Sequence, residues 1–165
     1  MRMLLNILIF TALPFMIPEK SPTPAVLIAD SEYCNARYFF CVEYPDTLLP
    51  NKTISDNGDG IILSSDDNEV VVTIAGSRSV LNRRTPDLYA DFVADRITKD
   101  EDSRVIYEIV DRKYYEVSFI DGAYHYYQKL FHQGNKYVIY QIVTPVGKDH
   151  KIDKIRNHLS VNFDI

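Results

Sequence analysis

Apolar residues are spaced along this chain in two rhythms, and each change of rhythm marks an element. Tyr38-Phe39-Phe40-Cys41-Val42-Glu43-Tyr44 is rich in aromatic and β-branched residues and stops at Pro45, which cannot extend a ladder. Residues 48–57 show no period and read as a loop. Asp56-Asn57-Gly58-Asp59-Gly60 makes a tight turn into Ile61-Ile62-Leu63-Ser64, and Asp66-Asp67-Asn68 returns the chain into a second apolar run, 69–76. Two such runs across a short acidic turn predict an N-terminal hairpin. The period then lengthens: Leu88, Tyr89, Phe92, Val93 and Ile97 share one side at helical spacing, while Asp87, Asp91 and Asp95 share the other. Thr85 suits the N-cap of this helix and Pro86 its first position. Strand character resumes over 104–110, 114–120, 124–131 and 137–143, with Asp111-Arg112-Lys113, Asp121-Gly122 and Gln133-Gly134-Asn135 between the segments. Asp-Gly and Gly-Asn supply the positive φ that tight hairpins require, so these four segments predict an antiparallel meander. Pro145 closes it, and Ile152, Ile155 and Leu159 give residues 148–159 the apolar stripe of a second helix.

A meander needs one face covered, and two amphipathic helices are available to cover it. The pattern therefore predicts a single α+β domain, an antiparallel sheet of hairpin plus four-strand meander packed with two helices, and not a doubly wound α/β fold. The first 29 residues stand apart. Arg2 precedes an apolar run that reaches Ile17, with Asn6 and Pro14 inside it, and Pro18-Glu19-Lys20-Ser21-Pro22 follows. That is the layout of a cleaved export signal, and the run falls short of the about 20 apolar residues that a spanning helix needs. Cleavage is expected after Ala25 or Ala29, leaving residues 30–165 as a periplasmic or secreted domain with no stable membrane anchor. The formal charge of −5 then becomes −6, because Arg2 and Lys20 leave with the single anion Glu19. An acidic chain is a poor match for nucleic acid or an anionic membrane surface.

The cysteines are Cys34 and Cys41. In an exported chain such a pair reads as a disulfide. Its Cα atoms must then lie about 5.5–6 Å apart, whereas seven extended steps would cover about 23 Å. The chain must therefore reverse between them, at Asn35-Ala36-Arg37, with Tyr38 opening the next strand. A Cys-x6-Cys spacing without a nearby His matches neither a zinc-ligand pattern nor the Cys-x-x-Cys redox pattern. Catalytic signatures are missing as well: there is no Gly-x-Ser-x-Gly elbow and no His-Glu-x-x-His. His125 and His132 fall on opposite faces of one strand, and Gly58 and Gly60 precede a strand rather than a helix, so no metal, nucleotide or other cofactor is predicted. The acidic turns containing Asp56, Asp59, Asp66 and Asp67 could hold calcium if both lay at one end of the hairpin. However, the calcium-loop pattern is missing, and tight turns use these residues anyway.

Phe40-x-Val42-x-Tyr44-Pro45, Asn57-Gly58-Asp59-Gly60 and the strand 70–76 resemble the start of small exported bacterial proteins of the Mog1/PsbP-like fold. The resemblance covers residues 38–76 in detail and most of the remaining chain in element order. It implies a sandwich of that fold and, by analogy alone, a protein that binds other proteins. The Cys34–Cys41 pair is not part of that pattern. Two features point to a partner. The meander is loaded with tyrosine, and alternation puts Tyr124 and Tyr126 on one face and Tyr127 on the other. These rings either pair across strands or are exposed for recognition. The row Asp87, Asp91, Asp95 sets like charges four apart, a small cost that a basic partner could offset, or else is a solvated helix face. The expectation is a non-enzymatic periplasmic protein-binding module, such as an immunity protein or inhibitor that neutralises a toxic enzyme. The alternatives are an accessory subunit of a cell-envelope complex and, below that, a small-ligand carrier or enzyme.

Overall fold

Strands dominate the described residues, which in the computed structural model are 30–79, 84–94, 97 and 102–163. The predicted export signal at 1–29 and Asp95 lie outside them. A small sheet has the order β1-β2-β10, formed by β1 (Asp30–Asn35), β2 (Phe40–Pro45) and β10 (Ser160–Asn162). A seven-stranded sheet has the order β3-β4-β5-β9-β8-β7-β6. Its members are β3 (Asn51–Ile54), β4 (Gly60–Ser64), β5 (Val71–Arg78), β6 (Arg104–Val110), β7 (Tyr114–Asp121), β8 (Tyr124–Gln133) and β9 (Lys136–Pro145). Every neighbouring pair is antiparallel. Helix α1 (Thr85–Tyr89) lies between β5 and β6 in the chain, and α2 (Asp149–Arg156) between β9 and β10. The fold is therefore α+β.

Alternation in the long strands sends their side chains to two separate cores. Val72 and Ile74 of β5, Tyr127 of β8, and Val138, Tyr140 and Ile142 of β9 pack with Phe40, Val42 and Tyr44 of the small sheet and with Ile152 and Ile155 of α2. From the opposite face, Tyr115, Val117 and Phe119 of β7 and Leu130 of β8 pack with Leu88 and Val93. The sheets approach closely. A Cβ on Gly76 would lie 2.7 Å from the Tyr38 side chain and 2.8 Å from the Phe40 ring, so β5 passes beneath the small sheet only as glycine.

Several details differ from the sequence pattern, each for a local reason. The reversal between the cysteines occupies 36–39 and β2 starts at Phe40, because Asn35 Oδ1 accepts the backbone N–H groups of Arg37 (3.0 Å) and Tyr38 (3.1 Å). Phe39 then takes a left-handed φ of 58°. Cys34 and Cys41 face each other across this hairpin, joined by a disulfide with Cα atoms 4.1 Å apart. The segment 48–57 is not all loop: β3 lies inside it, with all four residues exposed, so it shows no apolar alternation. Thr85 is not the cap of α1. Its buried hydroxyl donates to the Arg112 carbonyl at 2.9 Å, and Arg84 is the N-cap, its backbone N–H donating to Asp87 Oδ2 at 3.0 Å. After Tyr89 the helix widens into a π-helix over Ala90–Ala94. That change of pitch shifts the phase, so Val93 is buried while Phe92 is 41% exposed.

Candidate functional site

On the face of the large sheet that meets α2, β7 and β8 present a stripe of polar side chains: Glu116 and Ser118 from one strand, His125, Tyr127 and Lys129 from the other. The register fixes the stripe, since Ser118 stands opposite Tyr127 and Glu116 opposite Lys129. Two networks grow from it.

At one end, Ser118 Oγ lies 2.6 Å from His125 Nε2, and His125 Nδ1 lies 2.5 Å from Asp149 Oδ1. Hydroxyl, imidazole and carboxylate are connected in the order of a nucleophilic triad. Ser118 is only 4% exposed and His125 7%, which leaves a substrate carbonyl no approach to Oγ without rearrangement. What the contacts do achieve is mechanical: Asp149 is the first residue of α2, so the chain of contacts ties that helix to β7 and β8. Lys151 ties the same helix to the β4–β5 turn, its Nζ lying 2.7 Å from Asp67 Oδ2 and 2.6 Å from Glu69 Oε2.

At the other end a cleft of about 430 Å³ opens between the stripe and the segment from α2 into β10, lined by Glu116, Tyr127, Lys129, Phe131, Tyr140, Arg156 and residues 157 and 159–161. Glu116 is its centre. Its carboxylate accepts from Tyr107 Oη at 2.8 Å, lies 2.9 Å from Lys129 Nζ and 3.6 Å from Arg156 Nη1. Burial alone would push this carboxyl up, but the hydrogen bonds from Lys129 and Tyr107 outweigh it and hold it below the usual carboxylate value. Arg156 Nη1 also donates to Tyr107 Oη at 2.9 Å, and the guanidinium sits 5.4 Å above the Tyr127 ring. Tyr140 donates to Tyr127 Oη at 3.5 Å. Burial pushes the Tyr140 phenol up to about 12 and raises Tyr127 and Tyr107 too.

The residues singled out from the sequence are not gathered in one place. Tyr124 is 49% exposed at the start of β8. Tyr126 is half-buried on the α1 face, stacked on Phe119 with centroids 4.9 Å apart, while Tyr127 is 3% exposed on the other face. Asp87 is half-buried at the start of α1 and paired with Arg84 at 3.5 Å, Asp91 lies exposed in the π-helix, and Asp95 is outside the described residues. The condition for a shared calcium site fails, because the two acidic turns flank β4 at opposite ends. Asp59 is held by Ser55 (2.8 Å) and Asn57 (2.7 Å), and Asp67 by Lys151, which keeps its carboxyl well below the usual range. Sequence reasoning passed over Glu116, Ser118, Lys129, Asp149 and Arg156. The alternation Glu116-x-Ser118 and His125-x-Tyr127-x-Lys129 was the available signal, but in isolation it describes a wet strand face.

No protein-family model matches the chain, and no curated protein matches it in sequence. Among solved structures it is similar to the cyanobacterial PsbP (CyanoP) of Synechocystis sp. PCC 6803, with a TM-score of 0.58 and 13% identity over 88% of this chain and 99% of that one. A structure from Bacteroides thetaiotaomicron VPI-5482 matches with a TM-score of 0.43 and 12% identity, over 79% of this chain and 48% of that one. The first likeness shows the class: this chain has a PsbP-like fold. At such identity the likeness is one of architecture, and function has to be argued from the side chains.

Proposed function

We propose that the chain is a protein-binding module that works outside the cytoplasm, docking an extended segment of its partner along the outer edge of β6 by strand addition. The observation that carries this reading is the character of β6. It pairs with β7 alone among the described strands, and four of its seven residues, Val105, Ile106, Ile109 and Val110, are large apolar side chains 39–50% exposed. Proteins usually blunt such an edge with charge, proline or a bulge. Here the register shift between Val105 and Tyr107 twists the strand locally, yet the apolar side chains on both sides of it stay accessible. An added strand would pair with the outer N–H and C=O groups, which no described strand meets, and cover those side chains together.

The location rests on the predicted signal at 1–29 and on the Cys34–Cys41 disulfide, which fits an oxidising compartment. In this reading the protein is an inhibitor or immunity protein for a toxic enzyme; the alternative is an accessory subunit of an envelope complex. Neither role asks for catalysis by this chain. The test uses the protein and its Val105→Lys/Ile109→Lys variant as baits in envelope extract, followed by amide exchange on the recovered complex. Strand addition requires that the variant lose the partner at least tenfold and that the outward-facing amides of residues 104–110, those not bonded to β7, become protected on binding. A partner held equally by both baits, with those amides still exchanging freely, would remove β6 from the reading.

A further inference from the structure

Where the β1–β2 turn overhangs the end of the large sheet, a notch of about 290 Å³ opens, lined by Arg37, Tyr38, Ser77 and Arg78. Lys136 stands beside it. Arg78 and Lys136 are direct partners on the last rung between β5 and β9, so their side chains leave the same face of the sheet. Like charges placed opposite each other destabilise a sheet, and here the turn adds a third cation rather than a carboxylate. Arg37 is fixed at three points. Its backbone N–H donates to Asn35 Oδ1 at 3.0 Å, its Nη1 donates to the Asn57 carbonyl at 3.0 Å, and its guanidinium lies 5.3 Å from the centre of the Tyr38 ring. Lys136 Nζ sits 4.0 Å from the centre of the Phe39 ring, which is 44% exposed. Carbonyls and rings hold these cations in place without neutralising them.

The contrast with the rest of the molecule is sharp. Lys129, Lys151 and Arg156 all meet carboxylates, whereas no carboxylate among the described residues pairs with Arg37, Arg78 or Lys136. Asp59, in the turn that supplies the Asn57 carbonyl, is bonded back into that turn by Ser55 and Asn57, and Asp56 is exposed to solvent. A chain of net charge −5 has carboxylates to spare, yet leaves three cations gathered round one notch. We propose that this notch binds a phosphate monoester, its phosphate seated between Arg37, Arg78 and Lys136. Cations arriving from the turn on one side and from two strands on the other suit the terminal oxygens of a tetrahedral dianion, through charge-assisted hydrogen bonds. The notch lies at the lower edge of the size range for small-molecule sites, so it takes the phosphate and little of the group attached to it. That group belongs either to a soluble ester or to a lipid.

Amide NMR of the disulfide-bonded protein at low salt tests the site, with glycerol phosphate as the probe and acetate as the planar monoanion. Glycerol phosphate is expected to saturate at millimolar concentration, with acetate at least tenfold weaker. The shifted amides should be those of residues 36–39, 77–78 and 136. Arg37→Met and Arg78→Met, both at exposed positions, should each weaken the ester at least fivefold. Lys52→Met removes the same charge from the exposed strand β3 and should leave the affinity unchanged. Sedimentation with phosphatidylcholine vesicles, with and without phosphatidate, identifies the source. Saturation by glycerol phosphate in solution assigns a soluble ester. Sedimentation that requires phosphatidate and is lost in Arg78→Met, without a response to glycerol phosphate, assigns a lipid headgroup. Failure of both arms, or acetate binding as well as the ester, would overturn the assignment. So would an equal loss in Lys52→Met, or unchanged binding in folded Arg37→Met and Arg78→Met proteins. None of these outcomes depends on whether a partner docks at β6.

Discussion

Glu116 shows how a charge is kept in a place where charges are expensive. Taking a carboxylate out of water is costly unless donors replace the lost solvent; Tyr107 and Lys129 direct donors at this one, and the Arg156 guanidinium adds its charge from 3.6 Å. Glu116→Gln keeps the shape but leaves two cations facing each other, and should lower stability by about 1–3 kcal/mol in urea titration at neutral pH. The sign of the pH dependence follows from the depressed carboxyl. Its contribution is in full force above the ordinary value of 4.5 and is lost as pH falls through the lower folded value, so wild type and variant should converge in acid. A gap that persists at acid pH would show that packing, not charge, separates them. Thr144 is the opposite case. It is fully buried opposite His125, and its Oγ1 has no hydrogen-bond partner among the described residues. Thr144→Val trades an orphan hydroxyl for a methyl of the same shape and should stabilise the protein by about 1 kcal/mol, read as a shift in the urea midpoint with unchanged slope. Destabilisation instead would mean that the hydroxyl has a bound water or another partner.

Elements were legible in the sequence to the degree that each makes its own pattern. Strands β6 to β9 have strand residues bounded by turn pairs, and the segments at 104–110, 114–120, 124–131 and 137–143 match their cores. Three strands left no such trace. β3 is exposed throughout, β10 has three residues, and β1 alternates but with polar residues on its outward face, so all three exist only because a neighbour offers backbone to pair with. The cleft was hidden for a related reason. Its cations come from β8 and the end of α2, and it is the packing of Ile152 and Ile155 on the sheet, with β10 pairing to β2 beyond them, that brings the two together. The β1–β2 hairpin depends on a covalent tie that spans seven residues. Replacing both cysteines by serine should therefore cost about 2–3 kcal/mol. The loss should be accompanied by faster amide exchange in β1 and β10 than in β8 and β9, since the edge strands of the small sheet have little else to hold them. Uniform acceleration across both sheets would show that the hairpin is not a separable unit.

The whole molecule is three layers, with α1, the large sheet, and the small sheet plus α2 burying two cores on opposite faces of one sheet. Tyrosine serves both cores. Tyr115 is fully buried on the α1 side, and Tyr127 and Tyr140 are almost as buried on the other, so three phenols sit where an ionised oxygen would be without adequate solvation. Burial is the leading cause in each: Tyr140 is pushed up to about 12, and Tyr115 and Tyr127 are raised as well, from an ordinary value of 10. In the unfolded chain every tyrosine ionises near that ordinary value, whereas the native state holds these protons longer. The stability they contribute is therefore present below pH 10 and declines as pH climbs through 10 toward the raised folded values. Tyrosinate absorbance and circular dichroism followed together on an alkaline titration should show two populations. One population ionises while the fold is intact, and the buried set of Tyr115, Tyr127 and Tyr140 ionises only with the cooperative loss of the β-sheet signal. Smooth ionisation of all 12 tyrosines ahead of any change in the sheet signal would mean that water already reaches both cores, and that the two faces of the large sheet are not the sealed layers described above.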